Sequence, residues 1–175
     1  MNFTPKPNLG ADKTASVCSG SHFDLTSQFS TTGLNASWTL GGNPVTTPTA
    51  VTVAGIYQLI ATNNSGCPDT ATVNLSILPK PAIGADLAIS KCTDSIVNLT
   101  TLYNTTGLTT AWTIGGIPVT TPASVTAAGT YRLIATNPSS CGDTALVVIT
   151  NDPQLCIVSL VEKIVISPNP VSDKL

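Results

Sequence analysis

Residues 31–63 read TTGLNASWTLGGNPVTTPTAVTVAGIYQLIATN, and residues 105–137 read TTGLTTAWTIGGIPVTTPASVTAAGTYRLIATN. The offset between these two stretches is 74 residues, because 112 − 38 separates their Trp residues and 131 − 57 separates their Tyr residues. No insertion or deletion breaks this register from Leu9 to Ser76. A repeat of this length indicates two consecutive copies of one small structural unit.

Within each copy, short runs rich in Val, Ile, Thr and aromatic residues alternate with Gly, Pro and Asn turn signals. This alternation is typical of an antiparallel β-sandwich. It predicts a weak strand before Cys18 and five further strands, at His22–Phe29, Leu34–Leu40, Ala50–Val53, Ile56–Thr62 and Ala71–Leu78. We expect the second copy to repeat these strands at the same offset.

The composition favours an all-β fold and excludes some partners. The chain is 42% hydrophobic but only 9% charged, too little charge to coat helices. With seven Lys and Arg residues and a net charge of −2, it lacks the basic clusters that neutralise phosphates, so we expect no nucleic-acid partner. No apolar run approaches the roughly 18 residues that span a bilayer, so we expect no membrane insertion.

The boundary between the copies falls in LPKPAIG, residues 78–84. Pro79 and Pro81 cannot donate to a strand ladder and so favour a short linker. We therefore predict module 1 at residues 5–78, a linker at 79–82, module 2 at 83–151 and a tail at 152–175.

The cysteines repeat with the modules. The spacing 67 − 18 equals 141 − 92, both 49 residues, and the simplest symmetric solution bonds Cys18 to Cys67 and Cys92 to Cys141. Such bonds suit an oxidising compartment and predict an extracellular protein. Free buried thiols are the alternative, and the absence of CxxC spacing disfavours zinc. Cys156 has no counterpart, so it is expected to be unpaired or to bond outside the fragment.

Four aromatic residues are predicted to be core residues, namely Trp38, Trp112, Tyr57 and Tyr131. The alternative for the two Trp residues is an exposed platform that stacks on sugars. Both Tyr residues lie in the pattern AG-x-Y-x-L, which resembles the tyrosine corner of Ig-like domains.

The order of these motifs resembles the Ig-like and PKD-like repeats of Bacteroidota surface and secreted proteins of the adhesin type, over nearly all of residues 5–151. In each copy a Cys is followed by a W-T strand, AG-x-Y, A-T-N and a second Cys before D-T-A. The resemblance implies two tandem Ig-like antiparallel β-sandwich modules, each predicted to hold one intramodule disulfide. It also implies a spacer or adhesive stalk at the cell surface.

Two shorter resemblances follow. The end of the chain, IVISPNPVSDKL, resembles the start of a C-terminal sorting domain of type IX secretion, with Pro168, Asn169 and Pro170 on its central motif. Three Asp-Ser/Thr tripeptides resemble the O-glycosylation acceptors of the same phylum and imply modification of Thr70, Ser95 and Thr144.

Catalytic residues are scarce in this sequence. His22 is the single histidine, and its counterpart in the second copy is Ile96, which favours a packing or rim position. Four aspartates repeat at loops and are interpreted as turn caps rather than calcium ligands: Asp12, Asp69, Asp86 and Asp143. We expect no enzyme, no metal and no cofactor.

The sequence therefore predicts a non-catalytic extracellular fragment that acts as a spacer, stalk or filament unit. The alternative is a glycan-binding module appended to a secreted enzyme. Expected partners are a protein or glycan at a cell surface, or other copies through sheet edges. The apolar segment CIVSLVEKIVISPNPV, residues 156–171, is predicted to be a strand that pairs with a sheet edge of module 2 or of a neighbouring chain, and the alternative is a disordered remnant of the sorting domain.

Overall fold

The computed structural model of the chain describes residues 5–156. The chain divides between Lys80 and Pro81 into two compact units, which we call module 1 and module 2. This division lies inside the segment predicted as a linker. Each module is described by itself below.

Module 1 contains one five-stranded sheet. Its strands are β1 (Lys13–Cys18), β2 (Asn35–Leu40), β3 (Asn43–Pro44), β4 (Gly55–Thr62) and β5 (Pro68–Leu78). Their order in the sheet is β1-β5-β4-β2-β3. β1 runs parallel to β5, whereas the other neighbours are antiparallel.

Module 2 repeats this sheet. Its strands are β6 (Leu87–Lys91), β7 (Thr109–Ile114), β8 (Ile117–Pro118), β9 (Gly129–Thr136) and β10 (Gly142–Asn151), with a 3-10 turn at Leu99–Thr101. The order is β6-β10-β9-β7-β8, and β6 is parallel to β10. The all-β prediction is confirmed.

The layer that faces each sheet is less regular than predicted. In module 1 the predicted strands His22–Phe29 and Ala50–Val53 meet only at a single bridge, Phe23 with Val51. The carboxylate of Asp24 accepts hydrogen bonds from the Thr26 backbone N–H at 2.8 Å and from its hydroxyl at 2.6 Å. A short polar side chain that bonds its own backbone in this way favours a turn over a strand ladder.

Each core lies on the inner face of its sheet. Residues at every second position of β4 and β5 are buried: Tyr57, Leu59 and Ala61 on β4, and Ala71, Val73 and Leu75 on β5. Tyr131, Leu133 and Ala135 occupy the same places on β9. Full burial of one Leu or Val side chain stabilises a fold by about 1.5–3 kcal/mol, so this period-2 pattern fixes the strand register.

A tyrosine corner closes each core. The Tyr57 hydroxyl donates to the Val53 carbonyl at 2.7 Å, and the Tyr131 hydroxyl donates to the Ala127 carbonyl at 2.9 Å. Gly55, which precedes Tyr57 by two residues, has a φ of 153°, and a Cβ there would lie 2.7 Å from Leu40 Cδ1. The AG-x-Y pattern therefore combines a hydrogen bond with a position where only glycine fits.

Candidate functional site

Cys92 is bonded to Cys156, with a Cα–Cα distance of 4.9 Å. The predicted bond between Cys92 and Cys141 is therefore wrong, and so is the expectation that Cys156 is unpaired or bonds outside the fragment. Because β6 runs parallel to β10, Cys92 follows the ladder end where Lys91 pairs with Asn151. Cys141 precedes the other end of β10, about 30 Å away at roughly 3.3 Å per residue. A disulfide needs Cα atoms within about 7 Å.

The same geometry excludes the predicted bond in module 1. Cys18 pairs with Leu78 at the end of β5, whereas Cys67 precedes the start of that strand at Pro68. Cys67 has a free, half-buried thiol. Cys18 and Cys141 each take part in a disulfide. The free thiol of the described chain is thus Cys67, which the sequence predicted to be bonded to Cys18.

Both Trp residues are core residues by their burial. Trp38 and Trp112 are each 6% exposed. Trp38 packs against Phe29 with ring centroids 6.1 Å apart, and Trp112 packs against Tyr103 at 6.2 Å. Neither indole presents a free face for a sugar ring to stack on, which disfavours this form of the glycan-binding alternative.

The repeated aspartates bond backbone groups between strands. Asp12 accepts from the Thr72 N–H at 2.7 Å, and its counterpart Asp86 accepts from the Leu146 N–H at 2.8 Å. His22 is exposed. Among residues 5–156, no three His, Cys, Asp or Glu side chains are grouped to hold a metal ion.

Asp69 forms an ion pair in module 1. Its carboxylate lies 2.7 Å from the Lys6 ammonium and also accepts from the Leu9 N–H at 2.8 Å. The hydrogen bond from Lys6, followed by the bond from Leu9, lowers the pKa of Asp69 below its ordinary value. Asp143, its counterpart, accepts from the Ile83 N–H at a longer 3.3 Å.

Acid is expected to weaken module 1 through Asp69. Because the folded-state pKa is depressed, the carboxylate stabilises the fold above about pH 4 and loses this contribution as the pH falls through the lowered pKa. Urea midpoints measured at pH 7 and pH 3 should fall less in Asp69→Asn than in the unmodified chain. Asp94→Asn, an exposed control, should behave like the unmodified chain. If Asp94→Asn reduced the fall of the urea midpoint as much as Asp69→Asn does, the acid sensitivity could not be assigned to Asp69.

A groove lies beside β7 in module 2, with a volume of about 350 Å³. Its lining carries no charged side chain and combines apolar and hydroxyl-bearing residues: Leu99, Thr100, Tyr103, Thr105, Thr110, Ala111, Trp112, Pro118, Val119, Thr120 and Pro122. The Tyr103 hydroxyl is held at 3.2 Å from both the Ala85 and Leu146 carbonyls. The groove is therefore suited to an uncharged ligand.

The edge of β7 along this groove is only partly covered. β8 pairs with Thr113 and Ile114, and the Val119 N–H donates to the Trp112 carbonyl at 2.9 Å. Thr109–Ala111 has no strand on that side within the described part of the chain. Nothing in the sequence marked this edge, because it depends on β8 being only two residues long.

The predicted glycosylation and sorting residues lie in different parts of the chain. Thr70, Ser95 and Thr144 are exposed, and their glycosylation stays a prediction. Pro168, Asn169 and Pro170 lie outside the described residues, as does most of the predicted tail strand. Residues 153–156 form a single helical turn, so the described start of that segment is not a strand. No helix within residues 5–156 is long and apolar enough to cross a membrane.

Neither a protein-family model nor a curated protein matches this sequence. Similar solved structures include Sidekick-1 immunoglobulin domains 1–4, at 15% identity over 82% of this chain and 51% of that chain, with a TM-score of 0.35. The Drosophila receptor protein tyrosine phosphatase DLAR Ig1-2 module follows at 13% identity, 82% and 96% coverage and a TM-score of 0.29. The chain thus spans about half the length of the first structure.

A third similar structure is the Bacteroides ovatus SGBP-B from a mixed-linkage glucan utilization locus, in complex with a mixed-linkage heptasaccharide. The identity is 15%, the coverage is 86% of this chain and 46% of that chain, and the TM-score is 0.31. Each module of this chain has its own five-stranded sheet and its own tyrosine corner.

Proposed function

We propose that this chain is a non-catalytic, extracellular adhesive or spacer fragment in which each Ig-like module is a self-contained structural unit. The observation that carries this proposal is the repetition of a complete core. Each module buries its own Trp, its own Tyr and the inner residues of its own sheet. Units that bury their cores separately can be added in series to extend a stalk.

The polar side chains support a structural role. The repeated aspartates bond backbone N–H groups, so these carboxylates are engaged in holding strands together. General acid–base catalysis needs such groups to converge on a common cavity. In the groove of module 2, the lining instead consists of uncharged residues.

Glycan binding is the second candidate function, and the same groove favours it. Its volume lies at the lower end of the range of about 300–1,000 Å³ for small-ligand pockets. Threonine hydroxyls and the half-buried Tyr103 ring offer a sugar both hydrogen bonds and an apolar surface. The burial of Trp112 leaves Tyr103 as the aromatic contact.

Separate expression of residues 5–80 and 81–156 tests the leading proposal. We expect each module to unfold cooperatively by calorimetry, because each contains a complete core. Module 1 should be prepared with Cys18→Ser to prevent mispairing of its thiols. A module that stays unfolded on its own would contradict the spacer proposal.

Binding of a neutral oligosaccharide such as cellohexaose to the full chain, and the loss of this binding in Tyr103→Ala, would favour glycan binding instead.

A further inference from the structure

We propose that the uncovered edge of β7 accepts the outer edge of β6 from a second copy of the chain, which joins copies head to tail. This inference rests on the proposed structural function and names the surfaces through which copies would associate. β6 and β7 belong to the same sheet of module 2, with β6 at one end and β7 next to the other. One copy can therefore present both edges at once.

The acceptor edge has free backbone groups. The Trp112 carbonyl accepts from Val119, which shows that the backbone of Trp112 faces away from β9. Along an antiparallel strand, the backbone N–H and C=O groups of successive residues point alternately to one side and the other. The N–H and C=O of Thr110 therefore point away from β9, as those of Trp112 do. β8 ends before it reaches them. An added strand could bond these groups directly, as in other cases of strand addition.

The groove beside the acceptor edge restricts what can bind there. None of its lining side chains is charged. Within the described residues, the hydroxyls of Thr105, Thr110 and Thr120 make no hydrogen bond to protein, so they remain available to a partner. A charged segment would lose its hydration without gaining an ionic partner. The groove therefore selects an uncharged segment.

The donor edge matches this requirement. β6 pairs on one side with β10 and has no strand on its other side within the described part of the chain. Its first four residues, Leu87–Ser90, are uncharged, and Leu87 is 37% exposed. The equivalent strand of module 1 begins with Lys13, whose ammonium lies over the Phe29 ring at 4.8 Å. β6 also ends in a lysine, but Lys91 is only 5% exposed, whereas Lys13 is exposed. An exposed lysine on an edge strand opposes pairing with another chain, so the donor is assigned to module 2.

A second copy is the partner that the chain's own charge favours. Only 9% of its residues are charged and its net charge is −2, so copies meet little electrostatic repulsion. The two edges differ in sequence and in neighbours, which makes the contact heterologous. Contacts of this kind generate rings or open filaments rather than closed two-fold dimers. Repetition of the contact would build the stalk or filament of the proposed function.

Charged substitutions on each edge test the inference in the full, oxidised chain. Thr110→Lys places a charge in the acceptor groove, and Ala88→Lys places one on the exposed donor strand. By sedimentation velocity, we expect the unmodified chain to associate with increasing concentration and each variant to associate at least about tenfold more weakly. Ala36→Lys, at the position of module 1 that matches Thr110, should associate like the unmodified chain.

Mixing the two variants provides the sharper measurement. Thr110→Lys retains its donor edge and Ala88→Lys retains its acceptor edge, so an equimolar mixture should form dimers that grow no further. Circular dichroism and unchanged melting temperatures would show that both variants are folded. The inference would be overturned if the unmodified chain stayed monomeric at every concentration, or if Ala36→Lys weakened association as much as the two edge variants do. The spacer proposal would still stand if the separate modules fold. Binding of cellohexaose in the groove, by a chain whose copies do not associate through β6, would assign the groove to a glycan and would also overturn the inference.

Discussion

Replacing Trp112 with Ala is expected to lower the free energy of unfolding of module 2 by about 3–5 kcal/mol. Trp112 is 6% exposed and packs against Tyr103, so the substitution removes a large buried ring and leaves a cavity against the inner face of the sheet. In a domain of this size, a loss of 1 kcal/mol lowers the melting temperature by about 4–8 °C. The transition of module 2 should therefore fall by more than ten degrees.

Trp38→Ala is the matched control for this measurement. Trp38 has the same exposure and a similar ring contact, at 6.1 Å, in module 1. Calorimetry of the full chain should show that each substitution shifts a different transition. A loss below about 1 kcal/mol in Trp112→Ala would contradict its assignment to the core and would return the residue to consideration as a surface site.

The sequence was sufficient to predict the parts of the fold that depend on local pattern. Alternating apolar residues predicted Ile56–Thr62 and Ala71–Leu78, which correspond to β4 and β5. The AG-x-Y motif predicted the tyrosine corner, because its hydrogen bond joins residues only four positions apart. Interactions of short range leave a signal in a short stretch of sequence.

The facing layer was predicted less well because local hydrogen bonds compete with strand pairing there. Asp24 and its counterpart Asn98 each bond the backbone two residues on, at 2.8 and 3.0 Å. Both positions lie inside segments with enough apolar residues to resemble strands. In each module the outcome is a turn or 3-10 segment and a single bridge.

The disulfides show the limit of spacing arguments more clearly. Equal spacing of 49 residues suggested one symmetric pairing, but a spacing does not reveal whether the first strand runs parallel or antiparallel to the last. The parallel pairing of β6 with β10 places Cys92 at the C-terminal end of β10, beyond the reach of Cys141. The uncovered edge of β7 was equally hidden, since it arises from the length of β8 rather than from any motif.

Removing the Cys92–Cys156 bond is expected to destabilise module 2 by up to about 4 kcal/mol, and the double variant Cys92→Ser with Cys156→Ser tests this. The bond joins residues 64 positions apart, so its loss restores a large conformational entropy to the unfolded chain. It also fixes the helical turn at residues 153–156 beside the end of β6, where the Asp152 N–H donates to the Lys91 carbonyl at 2.8 Å.

The control for this last prediction is Cys67→Ser, because Cys67 is the free thiol of the described chain. Its replacement should leave both melting transitions within about one degree of the unmodified protein, since a half-buried thiol contributes no cross-link. Mass measurement after alkylation without reductant should label Cys67 alone in the unmodified chain. Labelling of Cys156, or an unchanged module 2 transition in the double variant, would contradict the assigned bond. Because the bond starts at the end of the donor strand β6, the double variant should also weaken head-to-tail association if that edge is the surface that copies share.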